Sequence, residues 1–401
     1  MQTTVQFLNG LDTIGGNVVS FVNGTTRLVM DLGINFNPEQ QANADGYAIG
    51  YFPKLPTLFT DQQADELKTF VFISHLHIDH MGALSYLKQN TLVYMSQASY
   101  DLYQVLLTLG WEKPTVANIK VLESEVAMSF GPFTVTGYVT DHDIQGAMMF
   151  KISDGTHLFV HSGDVRWDGD QADLVTHWVH ALQNETVDLL LMEGTEFSFP
   201  KSQNLQRNTE MQLQQQFQQK MLQTDQLIVI NPYERNVRRL VALYNSAQAA
   251  GRQMVWEPEY AQILKKLDSF AGLVLGSDIS WQMIKETPQR FVVQNRFHNL
   301  AQLSQLRAPF IYLHMNGEPL GRYDERFSQM EHFLQEQQGT LIELGASGHA
   351  TRTDLTKIAH LVNAKVTVPW HTFKSSLMAD QLRKVGLTVK QPEKNETLNF
   401  E

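Results

Sequence analysis

The stretch Thr69-Phe70-Val71-Phe72-Ile73-Ser74-His75-Leu76-His77-Ile78-Asp79-His80-Met81-Gly82 decides how the rest of the chain is read. Its first five residues form an apolar run that predicts a buried strand. Three histidines and an aspartate then fall within six residues, 75 to 80. His75 and His77 are two apart, so on extended backbone both side chains project to one side. Asp79 and His80 follow as the chain turns into a helix read over Met81 to Lys88, and they face a second point nearby. Neutral imidazoles and a carboxylate suit zinc, and also manganese or iron. Four polar side chains desolvated at the end of a buried strand are costly without a partner. A surface loop that happens to be rich in histidine is therefore the weaker reading.

A two-metal site needs ligands beyond this cluster, and three downstream segments offer them. Thr140-Asp141-His142-Asp143 follows a predicted strand over Phe133 to Val139. His161-Ser162-Gly163-Asp164 follows Leu158 to Val160, and Val368-Pro369-Trp370-His371 follows Lys365 to Val368. Each sets a His or Asp just past the C-terminal end of an apolar strand, where sites between strand ends are built. Alone, a histidine in such a place is more often a satisfied structural residue. Together with residues 75 to 80 they complete a set.

Composition narrows the chemistry further. The 401 residues include no cysteine, so disulfides, thiolate zinc sites and cysteine nucleophiles are excluded. At 43% hydrophobic and 18% charged residues, the chain reads as globular with ample core. A net charge of −11 counts against an extended nucleic-acid surface, although a local basic groove is compatible with it. The first ten residues carry no basic or apolar leader pattern and no run of 18 apolar residues occurs, so no membrane span and a cytoplasmic location are expected.

The first 200 residues alternate short apolar runs with turns. Strands are predicted at Thr4 to Phe7, Asn17 to Val22, Thr26 to Met30, Leu92 to Met95, Lys120 to Leu122 and Met148 to Ile152, with hairpin turns at Asn23-Gly24 and Asp154-Gly155. After Pro200, a glutamine-rich stretch over Gln203 to Gln226 reads as an amphipathic surface helix. Strands and helices then alternate, which argues for a parallel α/β unit: Leu227 to Ile230, helix Val237 to Ala250, Met254 to Trp256, helix Tyr260 to Phe270, Phe291 to Val293, Phe310 to Leu313 and helix Arg326 to Gln338. The end repeats the pattern, with Thr340 to Glu343, helix Asp354 to Asn363, helix Leu377 to Val385 and a closing strand near Leu387 to Lys390. No internal repeat is visible, nor a linker long enough to separate independent domains. Arg235, Arg238 and Arg239 share a helix face and read either as a nucleic-acid contact or as a solvated basic face.

With these residues in hand, the chain resembles the metallo-β-lactamase superfamily, and within it the β-CASP nucleases that include ribonuclease J. His75, His77, Asp79 and His80 match the superfamily signature; Asp31 matches its first motif, and His142 and Asp164 its third and fourth. Glu193, His349 and His371 match the β-CASP motifs A, B and C. The resemblance implies an α/β fold, an αββα sandwich formed by residues 1–200 and a return segment 346–401, with an inserted β-CASP α/β domain over 201–345 that caps the active site.

It also implies roles. His75, His77 and His142 would hold one metal, Asp79, His80 and His371 the other, and Asp164 would bridge both. Two divalent ions, zinc or else manganese, would lower the pKa of a bridging water, the nucleophile for in-line attack on a phosphodiester. Asp79, His349 and Glu193 form the implied catalytic set. His349 would donate a hydrogen bond or proton to a phosphate, and Asp31 and Glu193 would orient ligands. Ser347, Gly348 and His349 would bind a terminal phosphate, and Gly317-Glu318-Pro319 reads as a tight turn without chemical role.

Two departures stand beside the matches: some 30 residues follow His371, leaving no room for the C-terminal assembly domain of ribonuclease J, and no RNA-binding KH domain precedes the catalytic part. The resulting expectation is a ribonuclease, exo- or endonucleolytic, acting on single-stranded RNA, and possible as a homodimer. The alternative is a hydrolase of a small phosphodiester, lactone or thioester. A binding module without activity is the third reading, disfavoured by the complete ligand set. Antibiotic-hydrolysing relatives usually use a cysteine ligand or a signal peptide, and the di-iron oxidoreductases carry Glu where this chain has His77, so both are set aside.

Overall fold

The computed structural model describes residues 2–35, 55–59, 66–88, 90–199, 208–268, 271–306, 309–318, 320–322 and 324–401. The chain divides into two compact units, Met1–Leu205 with Gly348–Glu401, and Gln206–Ser347. In sequence the second unit falls between the two parts of the first.

The first unit opens with β1 (Thr3–Asn9), β2 (Val18–Asn23) and β3 (Thr26–Met30), then β4 (Lys68–Phe72), β5 (Leu92–Met95) and β6 (Asn118–Val121). β7 (Met128–Phe130), β8 (Phe133–Val139), β9 (Met148–Ser153), β10 (Leu158–His161) and β11 (Leu189–Glu193) follow. The inserted unit holds β12 (Leu227–Pro232), β13 (Gln253–Trp256), β14 (Leu273–Val274), β15 (Phe291–Gln294), β16 (Phe310–Met315) and β17 (Gly339–Glu343). The chain then returns through β18 (Val366–Trp370) and β19 (Thr397–Phe400). The helices are α1 (Pro56–Phe59), α2 (Ile78–Met81), α3 (Gln97–Thr108), α4 (Ala172–Leu182), α5 (Glu210–Leu222), α6 (Val237–Ala249), α7 (Pro258–Leu267), α8 (Trp281–Glu286), α9 (Glu325–Glu336), α10 (Arg352–Val362) and α11 (Ser375–Lys384).

In the first unit one sheet runs β19-β1-β2-β3-β4-β5-β6 and the other β18-β11-β10-β9-β8-β7. The alternating apolar residues of both sheets meet in one core that includes Phe7, Phe21, Met30, Phe72, Phe150, Phe159, Leu191 and Trp370. The outer face of the second sheet is covered by α4, α10 and α11 through Trp178, Leu182, Leu355, Ile358 and Met378. On the first sheet α3 buries Leu102, Tyr103, Val105 and Leu106. The result is the αββα sandwich. β3 to β6 are parallel to one another, as are β10, β11 and β18. β8 lies antiparallel to β9 and β9 to β10, so β8 also points the same way as β10. The C-terminal ends of these strands therefore serve as launching points for functional side chains.

The inserted unit has one wholly parallel sheet in the order β14-β13-β15-β12-β16-β17. Its strand-helix alternation produces the parallel unit as anticipated, since parallel neighbours require crossover helices.

Three local expectations change. The helix read over Met81 to Lys88 is instead the single turn α2, beginning inside the histidine cluster, followed by a 3-10 turn over Gly82–Tyr86. Met81 breaks the run with φ −131°. The closing strand near Leu387 to Lys390 is reduced to a bridge between Thr367 and Val389, and β19 closes the first sheet against β1 instead. The glutamine-rich helix runs from Glu210 to Leu222, with Thr209 and Gln212 forming a capping box at its start. The earlier part of that predicted helix, and Pro319, lie outside the described residues.

Candidate metal centre

Every candidate ligand follows the C-terminal end of a strand. The histidine cluster leaves β4, Asp31 leaves β3, His142 leaves β8, Asp164 leaves β10, Glu193 ends β11 and His371 leaves β18. Gly33 lets the cluster come close. A Cβ there would fall 1.6 Å from the Asp79 carbonyl oxygen. The neighbouring Leu32 N–H donates to the His80 carbonyl at 2.7 Å and Asn17 N–H to that of Asp79 at 2.8 Å.

Three sets of side chains converge in the first unit with geometry able to hold a metal: His75, His77, His142 and Asp164; Asp79, His80 and His371; and Asp164, Glu193, His349 and His371. Asp164 is central. Its Oδ2 lies 3.5 Å from His75 Nε2, 3.3 Å from His80 Nε2 and 3.7 Å from His142 Nε2, and its Oδ1 3.3 Å from His371 Nδ1. His75 Nε2 and His142 Nε2 approach His77 Nδ1 to 3.1 and 3.3 Å. His371 Nε2 lies 2.9 Å from Asp79 Oδ2. These residues fit divalent cations. Imidazole nitrogens crowd one another from several directions, and the buried Asp164 Oδ1 makes no hydrogen bond.

The electrostatics divide the histidines: His75, His77 and His142 are lowered, and His80 is raised. Burial, reinforced by His80 and His77, pushes His75 well below the ordinary histidine range. Burial likewise takes His77 down to about 3 against the pull of Asp143, and lowers His142. Such rings are neutral, as ligands must be. For Asp164 burial works upward, but His371 and His80 outweigh it and hold the carboxyl well below its usual range. Asp79 is lowered in the same way, with His80 and His371 overcoming burial. His80 is raised. Burial opposes the charge, but Asp164, Asp79 and Asp31 prevail.

Around these side chains stands a layer of hydrogen-bond partners. The fully buried Asp31 accepts from Ser74 N–H at 2.7 Å and Ser74 Oγ at 3.0 Å, and its Oδ2 lies 2.9 Å from His80 Nδ1 and 3.1 Å from His161 Nε2. Glu193 accepts from Thr195 N–H at 2.9 Å and meets His349 Nδ1 at 3.0 Å. Burial disfavours the charged His349 ring, yet Glu193 and then Asp164 raise it to about 9.

Several residues carry weight that sequence reading does not assign. His161 meets Asp31 and packs edge-on against Trp370. Thr195 Oγ1 lies 2.7 Å from His371 Nδ1, and Asn17 Nδ2 3.0 Å from His80 Nε2. Arg166 pairs with Asp141 at 2.8 Å and donates to the His142 carbonyl at 3.3 Å. His161 adjoins the Asp164 segment, a usable signal; Asn17 and Thr195 have none. Ser347 closes the inserted unit and Gly348 begins the return segment, where its carbonyl lies 2.5 Å from His142 Nδ1.

Two further features lie in the inserted unit. Arg239 is buried there, pairing with Glu210 at 2.6 Å and donating to the Met315 and Ala346 carbonyls. Of the basic face read at Arg235, Arg238 and Arg239, this residue is thus structural. Gly317 N–H donates to the Asn231 carbonyl and Glu318 accepts from Phe297 N–H, consistent with a turn.

No protein-family model matches the chain. Ribonuclease J of Corynebacterium glutamicum is 23% identical over 314 residues, which are 75% of this chain and 42% of that protein. Ribonuclease J of Thermus thermophilus is 21% identical over 397 residues, 91% of this chain and 67% of that protein. The chain is thus similar to ribonuclease J proteins over most of its length. It spans less than half the length of the Corynebacterium glutamicum ribonuclease J. A solved structure of a protein of unknown function from Enterococcus faecalis V583 shares the fold, with a TM-score of 0.88 at 23% identity and both chains covered in full. Two sheets, of six and seven strands, with helices on their outer faces make up the first unit that carries the site. Among the described residues no helix is long and apolar enough to cross a membrane.

Proposed function

We propose that the chain is a metal-dependent phosphodiesterase that cleaves single-stranded RNA, with Asp164 shared between two metal positions. The observation that carries this reading is the Asp164 carboxylate, which faces His75, His80 and His142 through one oxygen and His371 through the other. His75, His77 and His142 would hold one ion and Asp79, His80 and His371 the other, with zinc preferred for its fit to imidazole and carboxylate, and manganese as alternative. When bound, such ions supply Lewis acidity and make water a nucleophile at neutral pH. The ribonuclease J relatives support RNA as the substrate.

The chain's own groups do the remaining work. Asp79 Oδ2 and His371 Nε2 stand 2.9 Å apart, so both would reach the same ion. His349, raised to about 9 chiefly against burial by Glu193, carries a proton at neutral pH. It is 20% exposed, so it can offer that proton or a hydrogen bond to a phosphate oxygen. Ser347 and the Gly348 backbone are proposed to bind a terminal phosphate, and residues 201–345 to be the β-CASP insertion. The net charge of −11 favours, as second reading, a small phosphodiester, lactone or thioester.

The test is cleavage of labelled single-stranded RNA by protein loaded with zinc or manganese, beside Asp79→Ala and a panel of small phosphodiesters, lactones and thioesters. RNA cleavage that Asp79→Ala abolishes supports the proposal. RNA left intact while a small ester is turned over transfers the site to the second reading.

A further inference from the structure

We infer that Asp143 is an additional carboxylate ligand at the His75, His77 and His142 end of the metal centre. This rests on the metal-centre part of the proposal above and is independent of the RNA substrate. Asp143 Oδ1 lies 3.5 Å from His77 Nε2 and 3.4 Å from His142 Nε2. It approaches His142 at the nitrogen that also faces Asp164, and His77 at Nε2, the nitrogen opposite the Nδ1 that faces His75 and His142.

The surrounding structure is arranged to keep it there. Arg166 holds Asp141 and the His142 carbonyl, which sets the turn that carries Asp143. The Gly348 carbonyl accepts from His142 Nδ1–H at 2.5 Å, which leaves Nε2 as the nitrogen that can bind a cation. Nε2 faces the Asp143 and Asp164 carboxylates at 3.4 and 3.7 Å and His77 Nδ1 at 3.3 Å. Gly348 also leaves the space: a Cβ there would fall 2.4 to 2.6 Å from the Asp143 carboxylate atoms. One glycine therefore fixes the His142 tautomer and admits the extra oxygen.

A second carboxylate beside three imidazoles hardens the ligand set. Oxygen donors favour manganese, whereas imidazole suits zinc. The Asp143 end should therefore hold manganese better than the seven-ligand set would.

The experiment measures retention of Mn2+ and Zn2+ against a competing chelator, for wild type, Asp143→Asn, Asp143→Ala and Gly348→Ala, with circular dichroism to confirm folding. Asp143→Asn preserves shape and is the decisive variant should Asp143→Ala not fold. The expected result is loss of Mn2+ affinity on the order of 10–100-fold, the scale seen when groups around a metal are removed, with a smaller loss for Zn2+. Gly348→Ala should weaken Mn2+ in the same direction, since it displaces the carboxylate without deleting it. Folded Asp143→Asn with unchanged retention of both metals overturns the inference, even if RNA cleavage is lost. Asp143-dependent retention in a protein that cleaves no RNA upholds it and overturns the RNA reading instead.

Discussion

Asp31 and His371 both hold positive φ, 60° and 52°, a region that costs non-glycine residues about 1–3 kcal/mol. Both sit where the chain leaves a strand and must aim a side chain inward, so the surrounding contacts hold the strain in place. Asp31 joins Ser74, His80 and His161 inside the sandwich. Asp31→Ala leaves these groups buried without their acceptor and is expected to cost about 3–5 kcal/mol. The same change should weaken metal retention roughly 10–100-fold. Chemical denaturation and chelator competition measure both, and a stable, fully loaded variant contradicts this role. At this scale the histidine cluster was legible because three histidines and an aspartate crowd six positions. Asn17 and Thr195 were not, because each gains its meaning from a partner 63 or 176 residues away. A second residue-scale prediction concerns His314 in the inserted unit, where burial lowers the ring below its ordinary 6.5. The unfolded chain takes up a proton as pH falls through 6.5 while the folded ring does not. Its stabilising contribution is therefore present above that pH and lost below it. The unfolding midpoint of this unit should fall between about pH 7 and pH 5 more steeply in wild type than in His314→Gln. Identical profiles contradict the assignment.

Strands were the most readable elements, since apolar runs between turn residues identify them whichever face they bury. Helices and pairing partners were less so. α3 begins at a Ser96 cap whose side chain accepts from Ser99 N–H, a local signal that remains ambiguous in a strand-rich half. β19 is defined by pairing with β1 at the other end of the chain, which no local pattern announces. α6 shows the limit of reading a helix face by charge. Arg235 lies before the Asn236 cap and off the helix, and Arg239 is 1% exposed and fastened to Glu210 on α5. Removing one partner of that pair is expected to cost about 3–5 kcal/mol. Arg239→Ala should therefore unfold the inserted unit at lower denaturant, as should Glu210→Ala. A variant that keeps wild-type stability and loses only nucleic-acid affinity would instead restore the surface reading.

The whole molecule follows from one arrangement: two sheets share a core, and parallel strands in both deliver His, Asp and Glu from their C-terminal ends. Residues 31 to 371 belong to one centre because β18 returns beside β11 after an insertion of its own compact unit. The ligand types and strand ends were visible in sequence, while the meeting of Asp164 with both sets of histidines required the folded chain. The most direct measurement is elemental analysis of protein stripped by chelator, reconstituted with zinc or manganese and desalted. The account predicts about two ions per chain, as in two-metal hydrolases, falling sharply in Asp164→Ala. Less than about one ion per wild-type chain, or a content unchanged in Asp164→Ala, contradicts it.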